Sequence, residues 1–290
     1  MNVRDRAAGA PISWGVCEAP GWGHQLAPER VLREIGELGL AGAEFGPVGF
    51  LPTNPDERAA LLRRYGPAPV GGFAPVVLHD PAVDLDTVFA GFGTGEVVVL
   101  AAANGLGDFD TRPDLDDARW RTLLANLDHL DREGRARGLT VVLHPHVGTV
   151  VERREDIERV LGGCGVPLCL DTGHIMVGGL DPAELVRAAP DRIAHVHLKD
   201  VRASLAPRVL AREVPFVQAV RAGLFTPLGQ GDIDIAGIVR GLEETGYRGW
   251  YVLEQDLVID AEPAPGDGPI RRVRADVEFL AALQATGGNT

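Results

Sequence analysis

The sequence predicts an α/β protein whose parallel strands close into a (β/α)8 (TIM) barrel. Three observations lead there. Short apolar runs alternate with amphipathic helical stretches along the whole chain. There are eight of each, and strict β–α alternation with eight units is the pattern that closes a parallel barrel. The first run leads into SWGVCEAPGWG, which lacks the GxGxxG phosphate loop usual in an open doubly wound sheet.

The strand-like runs span 10–16 (APISWGV), 41–46 (AGAEFG), 68–77 (APVGGFAPVV), 96–102 (EVVVLAA), 139–146 (LTVVLHPH), 166–174 (VPLCLDTGH), 193–200 (IAHVHLKD) and 248–256 (RGWYVLEQD). Helical stretches cover 28–39, 55–65, 81–91, 115–137, 153–162, 181–189, 234–245 and 269–284. Asn54-Pro55 and Asp181-Pro182 are start signals, a capping side chain followed by a proline at the first helical position. Gly39, Gly138 and Gly246 are stop signals, because a glycine readily adopts the left-handed conformation that closes a helix. The least regular stretch, 201–232, falls after the seventh run, where a long barrel loop is usually functional. A smaller loop covers 261–268. No linker or further repeat interrupts the pattern, so residues 1–290 form a single domain.

A chain of 290 residues supports one sizeable core. Its 45% hydrophobic and 24% charged residues are those of a soluble globular protein. The net charge of −13 argues against nucleic acid and against an anionic membrane surface as partners, and disfavours a polyanionic substrate. Cys17, Cys164 and Cys169 are odd in number and lack CxxC spacing, which fits reduced thiols in a reducing compartment. No apolar signal segment opens the sequence and no run approaches 18 apolar residues, so the expected location is the cytoplasm. Nothing forces an interface, and a homo-oligomer is compatible with the sequence.

Four runs end in a residue able to bind metal: VVLHPH, LCLDTGH, AHVHLKD and YVLEQD. Residues two apart on a barrel strand share a face, so His144 and His146 point together, as do His195, His197 and Lys199. A lone histidine on an apolar strand is most often a satisfied core residue. Polar groups recurring at one height on four strands would cost several kcal/mol to bury without a common partner. A divalent cation is that partner. Asp171 and Glu254 are the strongest ligand candidates, and His144 and His197 complete the most economical set. Mixed nitrogen and oxygen donors without thiolate suit Mn²⁺ or Co²⁺, with Fe²⁺, Zn²⁺ or Mg²⁺ also admissible, better than Ca²⁺. Glu44, closing the second run, is either a substrate-binding residue or the ion-pair partner of Lys199. Trp14, Trp22, Phe45, Phe50, Phe73 and Trp250 sit near strand ends and are candidates for a wall against a sugar-like ring, Trp14 and Phe73 foremost, with core packing the default for each. There is no GxSxG elbow, and the HxH that amidohydrolase-type barrels carry on their first strand is absent from PISWGV.

Taken together, PISWG, GAEFGPVGFLPTNP, HPHVGT, DTGH, HVHLKD and GQGDID resemble the xylose-isomerase-like sugar isomerase/epimerase barrels, and within them the inosose (2-keto-myo-inositol) dehydratases. The resemblance covers essentially the whole chain. It implies a divalent metal held at the ends of strands five to eight, position by position His144, Asp171, His197 and Glu254. The epimerases carry a glutamate on the fifth strand that is both ligand and acid/base. Here that place is taken by His144, with His146 two residues on, and either imidazole could be the strand's ligand. The departure implies proton abstraction with loss of water rather than epimerisation by two opposed glutamates. Glu254 or His146 would be the base, and His174 or Lys199 the acid. The substrate would be a small polyol or sugar ketone. The alternatives are a ketose isomerase or epimerase, or a keto-glycoside lyase, using the same enediolate chemistry. More remote is a sugar-binding barrel without catalysis.

Overall fold

A computed structural model describes residues 3–287. Eight parallel strands close on themselves in the order β1 (Ala7–Gly9), β10 (Tyr251–Leu253), β7 (Ile193–Leu198), β6 (Leu168–Asp171), β5 (Thr140–Leu143), β4 (Val97–Ala102), β3 (Ala68–Val76) and β2 (Gly42–Glu44). The predicted barrel is therefore present. Its outer layer includes α1 (Pro28–Glu37), α2 (Pro55–Tyr65), α3 (Leu85–Phe89), α4 (Asp117–Ala136), α5 (Arg154–Gly163), α7 (Pro182–Ala188), α10 (Ile235–Glu244) and α11 (Pro269–Gly287). Asn54 caps α2 by accepting from the amides of Asp56 and Glu57, and Asp181 caps α7 through Ala183. Among the described residues no helix is long and apolar enough to cross a membrane.

The first strand is displaced from its predicted place. Residues 10–16 were expected to be extended, whereas Pro11–Trp14 is a 3-10 turn and β1 is the Ala-Ala-Gly segment before it. Pro11 has no N–H to offer a ladder. The smaller residues are needed where the wall is tight: a Cβ on Gly9 would lie about 3.1–3.2 Å from Leu40 and the Trp14 ring. The helix predicted over 81–91 shrinks to α3, capped by Asp84.

The loop 201–232 is structured. A two-stranded antiparallel pair, β8 (Asp200–Val201) with β9 (Phe225–Thr226), brackets the helices α8 (Ala206–Leu210) and α9 (Phe216–Arg221). The buried Asp200 carboxylate organises the turn after it. Its Oδ1 accepts from Val201 and Ile233 and its Oδ2 from Gly229 and Gly231, at 2.9–3.1 Å. Glycine is required at 231, where a Cβ would collide with that carboxylate. This explains GQGDI.

The main core lies between the sheet and its helices, and smaller clusters fill the inside: Ala8, Ala10, Val70 and Val252, and Val97, Val99, Val142 and Cys169. Above these apolar layers the inward positions turn polar.

Candidate active site

Register sets up the site. Asp171 on β6 and Val252 on β10 both pair with His197 on β7, and Glu254 follows β10 with its amide donating to Leu198. The alternation that places Val142 and Cys169 inside then carries His144, Asp171, His197 and Glu254 to one height at the carboxyl ends. One donor atom from each of these four lies within 4.8 Å of the other three, and all four residues are buried.

DTGH and HVHLKD are fitted to each other. Asp171 Oδ1 caps α6 (Thr172–Val177) by accepting from the His174 amide at 2.8 Å. Its Oδ2 is thereby aimed at His144 Nε2 (3.2 Å), Lys199 Nζ (3.3 Å) and His197 Nδ1 (3.6 Å). Thr172 Oγ1 accepts from the Lys199 amide and donates to its carbonyl. Gly173 leaves room for the Lys199 stem, which a Cβ would meet at 2.6 Å. Lys199 Nζ donates to Glu254 Oε1 (2.9 Å) and Asp256 Oδ1 (2.6 Å), and lies 3.1 Å from His174 Nε2.

The electrostatics follow from burial among carboxylates. Burial opposes ionisation of Asp171 and Glu254, yet Lys199 and the imidazoles hold both carboxyls below their usual range. Burial likewise opposes Glu44, whose carboxyl His197 and His195 bring down to about 2. Asp256 goes the other way. Burial pushes it up to about 6 although Lys199 opposes the shift. Lys199 itself stays firmly protonated, because Asp171, Asp256 and Glu254 outweigh its desolvation. Burial also disfavours a charged His197, but Glu254 and Glu44 push its pKa well above the usual value. His146 is kept neutral, down to about 3, by burial with His144 and Lys199 adding to it.

These residues fit a divalent cation. His197 Nδ1 is 3.1 Å from Glu254 Oε2, yet it makes no hydrogen bond, and the buried His144 Nδ1 has no partner either. On the far side, His197 Nε2 is held by Glu44 Oε1 at 3.0 Å. A carboxylate behind an imidazole whose other nitrogen faces acidic oxygens is the arrangement that orients a histidine ligand. The surplus of carboxylates over Lys199, which raises the His197 pKa, is charge that a divalent ion would balance.

A cavity of about 230 Å³ opens above this cluster, and its lining includes His144, His146, Glu44, Glu254, Asp256, Phe73, Trp22, Phe109 and Phe216. Phe73 therefore sits where a substrate wall was expected, edge-on to His144 with ring centroids 6.1 Å apart. Trp14 does not. It is fully buried in the core, its indole N–H donating to Glu34 Oε2 at 2.8 Å. Glu44 reaches the cavity but pairs with His195 and His197 and makes no ion pair with Lys199. His174 and Lys199, expected as acids, lie outside the cavity lining, His174 behind His146 with ring centroids 3.8 Å apart. His146 does line it. Its Nδ1–H donates to the Val147 carbonyl at 2.7 Å, a tautomer that leaves a lone pair on Nε2.

Trp22, a candidate for the same wall, also lines the cavity, whereas sequence reasoning passed over Asp256, Phe109 and Phe216. For Asp256 a signal existed, since it lies two residues beyond Glu254 and shares its face. Phe216 comes from the long loop. It packs against Trp22, Phe109, His146, His174 and Phe225, and no period in 201–232 announced it.

Known proteins agree with this architecture. The sequence pattern of the xylose isomerase-like TIM barrel family matches residues 89–283. A rhizopine catabolism protein, MocC, of Rhizobium meliloti is 31% identical over 96% of this chain and 88% of its own length. An inosose dehydratase of Geobacillus kaustophilus is 33% identical over 85% and 86%. Among solved structures, an L-ribulose 3-epimerase superposes with a TM-score of 0.67 at 15% identity, covering 99% of this chain and 95% of that one, which speaks for the fold. The chain thus belongs to the xylose isomerase-like TIM barrel family.

Proposed function

We propose that this chain is a single-domain, metal-dependent dehydratase of a cyclic polyhydroxy ketone of the 2-keto-myo-inositol type, working in the cytoplasm. Relatives of about 30% identity named inosose dehydratase support the reaction class. The observation that carries the reading is the convergence of His144, Asp171, His197 and Glu254 beneath one cavity. These four would hold the metal, Mn²⁺ or Co²⁺ by their mixed donor set. When bound, the ion supplies Lewis acidity that polarises a ketone oxygen and acidifies the adjacent C–H.

The remaining steps belong to the chain. Glu254 is held on one oxygen by Lys199 and faces His197 with the other, so it is poorly placed to take a proton. His146 Nε2 carries the free lone pair in the cavity and removes the α proton. The imidazolium so formed is buried beside Lys199 and therefore unfavourable, and it passes the proton to the departing β-hydroxyl, which leaves as water. One side chain thus acts as base and then acid, a service typically worth about 10²–10⁴ in rate. Lys199 and His174 act from outside the cavity by fixing the carboxylates. Phe73, Phe109, Trp22 and Phe216 exclude water around the ring.

The test is incubation of Mn²⁺-loaded protein with 2-keto-myo-inositol in D₂O. Loss of water to give the unsaturated or dione product supports the reading. Deuterium uptake into recovered substrate without loss of water would instead make the enzyme an isomerase or epimerase, and no reaction with Mn²⁺ or Co²⁺ would remove this substrate.

A further inference from the structure

The Lys199 ammonium sits where a metal ion could sit. Its Nζ lies 2.6 Å from Asp256 Oδ1, 2.9 Å from Glu254 Oε1, 3.1 Å from His174 Nε2 and 3.3 Å from Asp171 Oδ2. An ammonium offers three protons and no lone pair, so His174 Nε2 accepts from it and carries no hydrogen of its own. The Val147 amide reaches His174 Nδ1 only at 3.5 Å, too far to impose the other tautomer. The acceptors around Nζ are therefore one imidazole and three carboxylates, all buried. A divalent metal takes the same mixed donors. One donor atom each from His174, Glu254 and Asp256 lies within 4.8 Å of the other two.

Two of these carboxylates, Asp171 and Glu254, also belong to the set of four that converges beneath the cavity. They are shared between that set and the ammonium, much as carboxylates bridge the two ions of a binuclear centre, which typically lie about 3.5–4 Å apart. The charges agree. Asp171, Glu254 and Asp256 bring three negative charges to Nζ, and one divalent ion with one ammonium brings three positive ones. Asp256 is not needed to hold the proposed ion, yet it makes the shortest contact to Nζ. Gly173 lets the lysine stem pass, since a Cβ there would meet it at 2.6 Å.

We infer that Lys199 is a built-in second cation: its ammonium fills a divalent-metal site made by His174, Glu254 and Asp256, and so holds the centre at one ion per chain. The inference deepens the proposed function and rests on its assignment of the first ion to His144, Asp171, His197 and Glu254. Without the ammonium, three buried carboxylates face one divalent ion, and a second ion relieves that imbalance. Alanine at this position also removes the stem, leaving space for an ion and water.

The experiment counts metal per chain by atomic emission after equilibrium dialysis against Mn²⁺. Wild type, Lys199→Ala and the double variant Lys199→Ala/Asp256→Ala are compared, with circular dichroism as the control for folding. Lys199→Asn, which keeps a hydrogen-bond donor for the carboxylates, takes the place of the alanine variant if that one does not fold. The expected counts are one ion for wild type, two for Lys199→Ala and one for the double variant. The paired Mn²⁺ ions of Lys199→Ala should also couple magnetically, replacing the isolated-ion signal that wild type gives in electron paramagnetic resonance. A folded Lys199→Ala that binds one ion with the isolated signal would overturn the inference, and so would wild type that binds two. A second ion that survives the loss of Asp256 would place it elsewhere and overturn it as well. Wild type without any ion would overturn the assignment of the first site alone, because the gain of one ion on removing Lys199 still decides the second. The dehydratase reading is tested separately, since none of these counts depends on turnover.

Discussion

Replacing Lys199 by methionine probes the electrostatic heart of the site without requiring any substrate. The side chain is fully buried, and its ammonium lies 2.6 Å from Asp256, 2.9 Å from Glu254 and 3.3 Å from Asp171. Methionine preserves most of the volume that the Gly173 and Thr172 contacts accommodate, while the charge disappears. Removing one partner from a buried charge network typically costs about 3–5 kcal/mol, because the remaining carboxylates are left uncompensated. An unfolding entropy near 2.1 cal/mol/K per residue over 290 residues gives about 0.6 kcal/mol/K, so the metal-free variant should melt about 5–8 °C lower. A divalent ion restores positive charge beside Asp171 and Glu254. Saturating Mn²⁺ should therefore recover at least half of the deficit. The assay is urea unfolding and calorimetry of both proteins in EDTA and in Mn²⁺. A metal-free deficit below about 1 kcal/mol, or one that Mn²⁺ leaves unchanged, would refute the charge-balance reasoning.

Three further outcomes follow from the same geometry. His146→Gln should lower kcat by about 10²–10⁴ while metal content stays at the wild-type level, and loss of the ion from that variant would make His146 a ligand instead. Arg212 adopts a left-handed φ of 58° and clamps the buried Glu152 at 2.6 and 2.9 Å, tying the long loop to the segment before α5. Arg212→Ala should destabilise by about 3–5 kcal/mol and expose 206–221 to limited proteolysis, and an unchanged digestion pattern would contradict the clamp. Burial pushes Asp276 up to about 7 despite the Leu228 amide donating to it. A folded-state pKa raised above the unfolded value of 3.8 means that stability falls as pH rises from about 4 to about 7 and levels off above. Asp276→Asn keeps the acceptor for Leu228 and removes that slope, so urea unfolding should show it gaining up to about 4 kcal/mol on wild type at pH 8 relative to pH 4.

The strand ends were the legible part of this sequence. An imidazole or carboxylate closing a Val/Leu-rich strand is costly unless shared, and the period of two then says which neighbours face the same way. That reasoning brought His144, Asp171, His197 and Glu254 to one place before any coordinates. It could not rank the second set of polar residues, because periodicity gives a direction but not a depth. Lys199 and His174 point inward yet sit outside the cavity lining, whereas His146 reaches it. Trp14 fails for a related reason: a 3-10 turn at Pro11 follows a shorter first strand and buries the indole against Glu34. Phe216 was illegible because the segments of 201–232 are too short to show a helical period, and their placement depends on Asp200 and Arg212, contacts far apart in sequence.

The central claim is that four side chains from four strands hold one divalent ion. Its most direct test is a crystal grown from Mn²⁺-loaded protein, with anomalous scattering measured at the manganese edge. The account predicts one peak per chain, bounded by His144, Asp171, His197 and Glu254, and no peak in the Asp171→Ala/Glu254→Ala double variant. A map without a peak there, or a peak ligated by His146 and His174 instead, would contradict it.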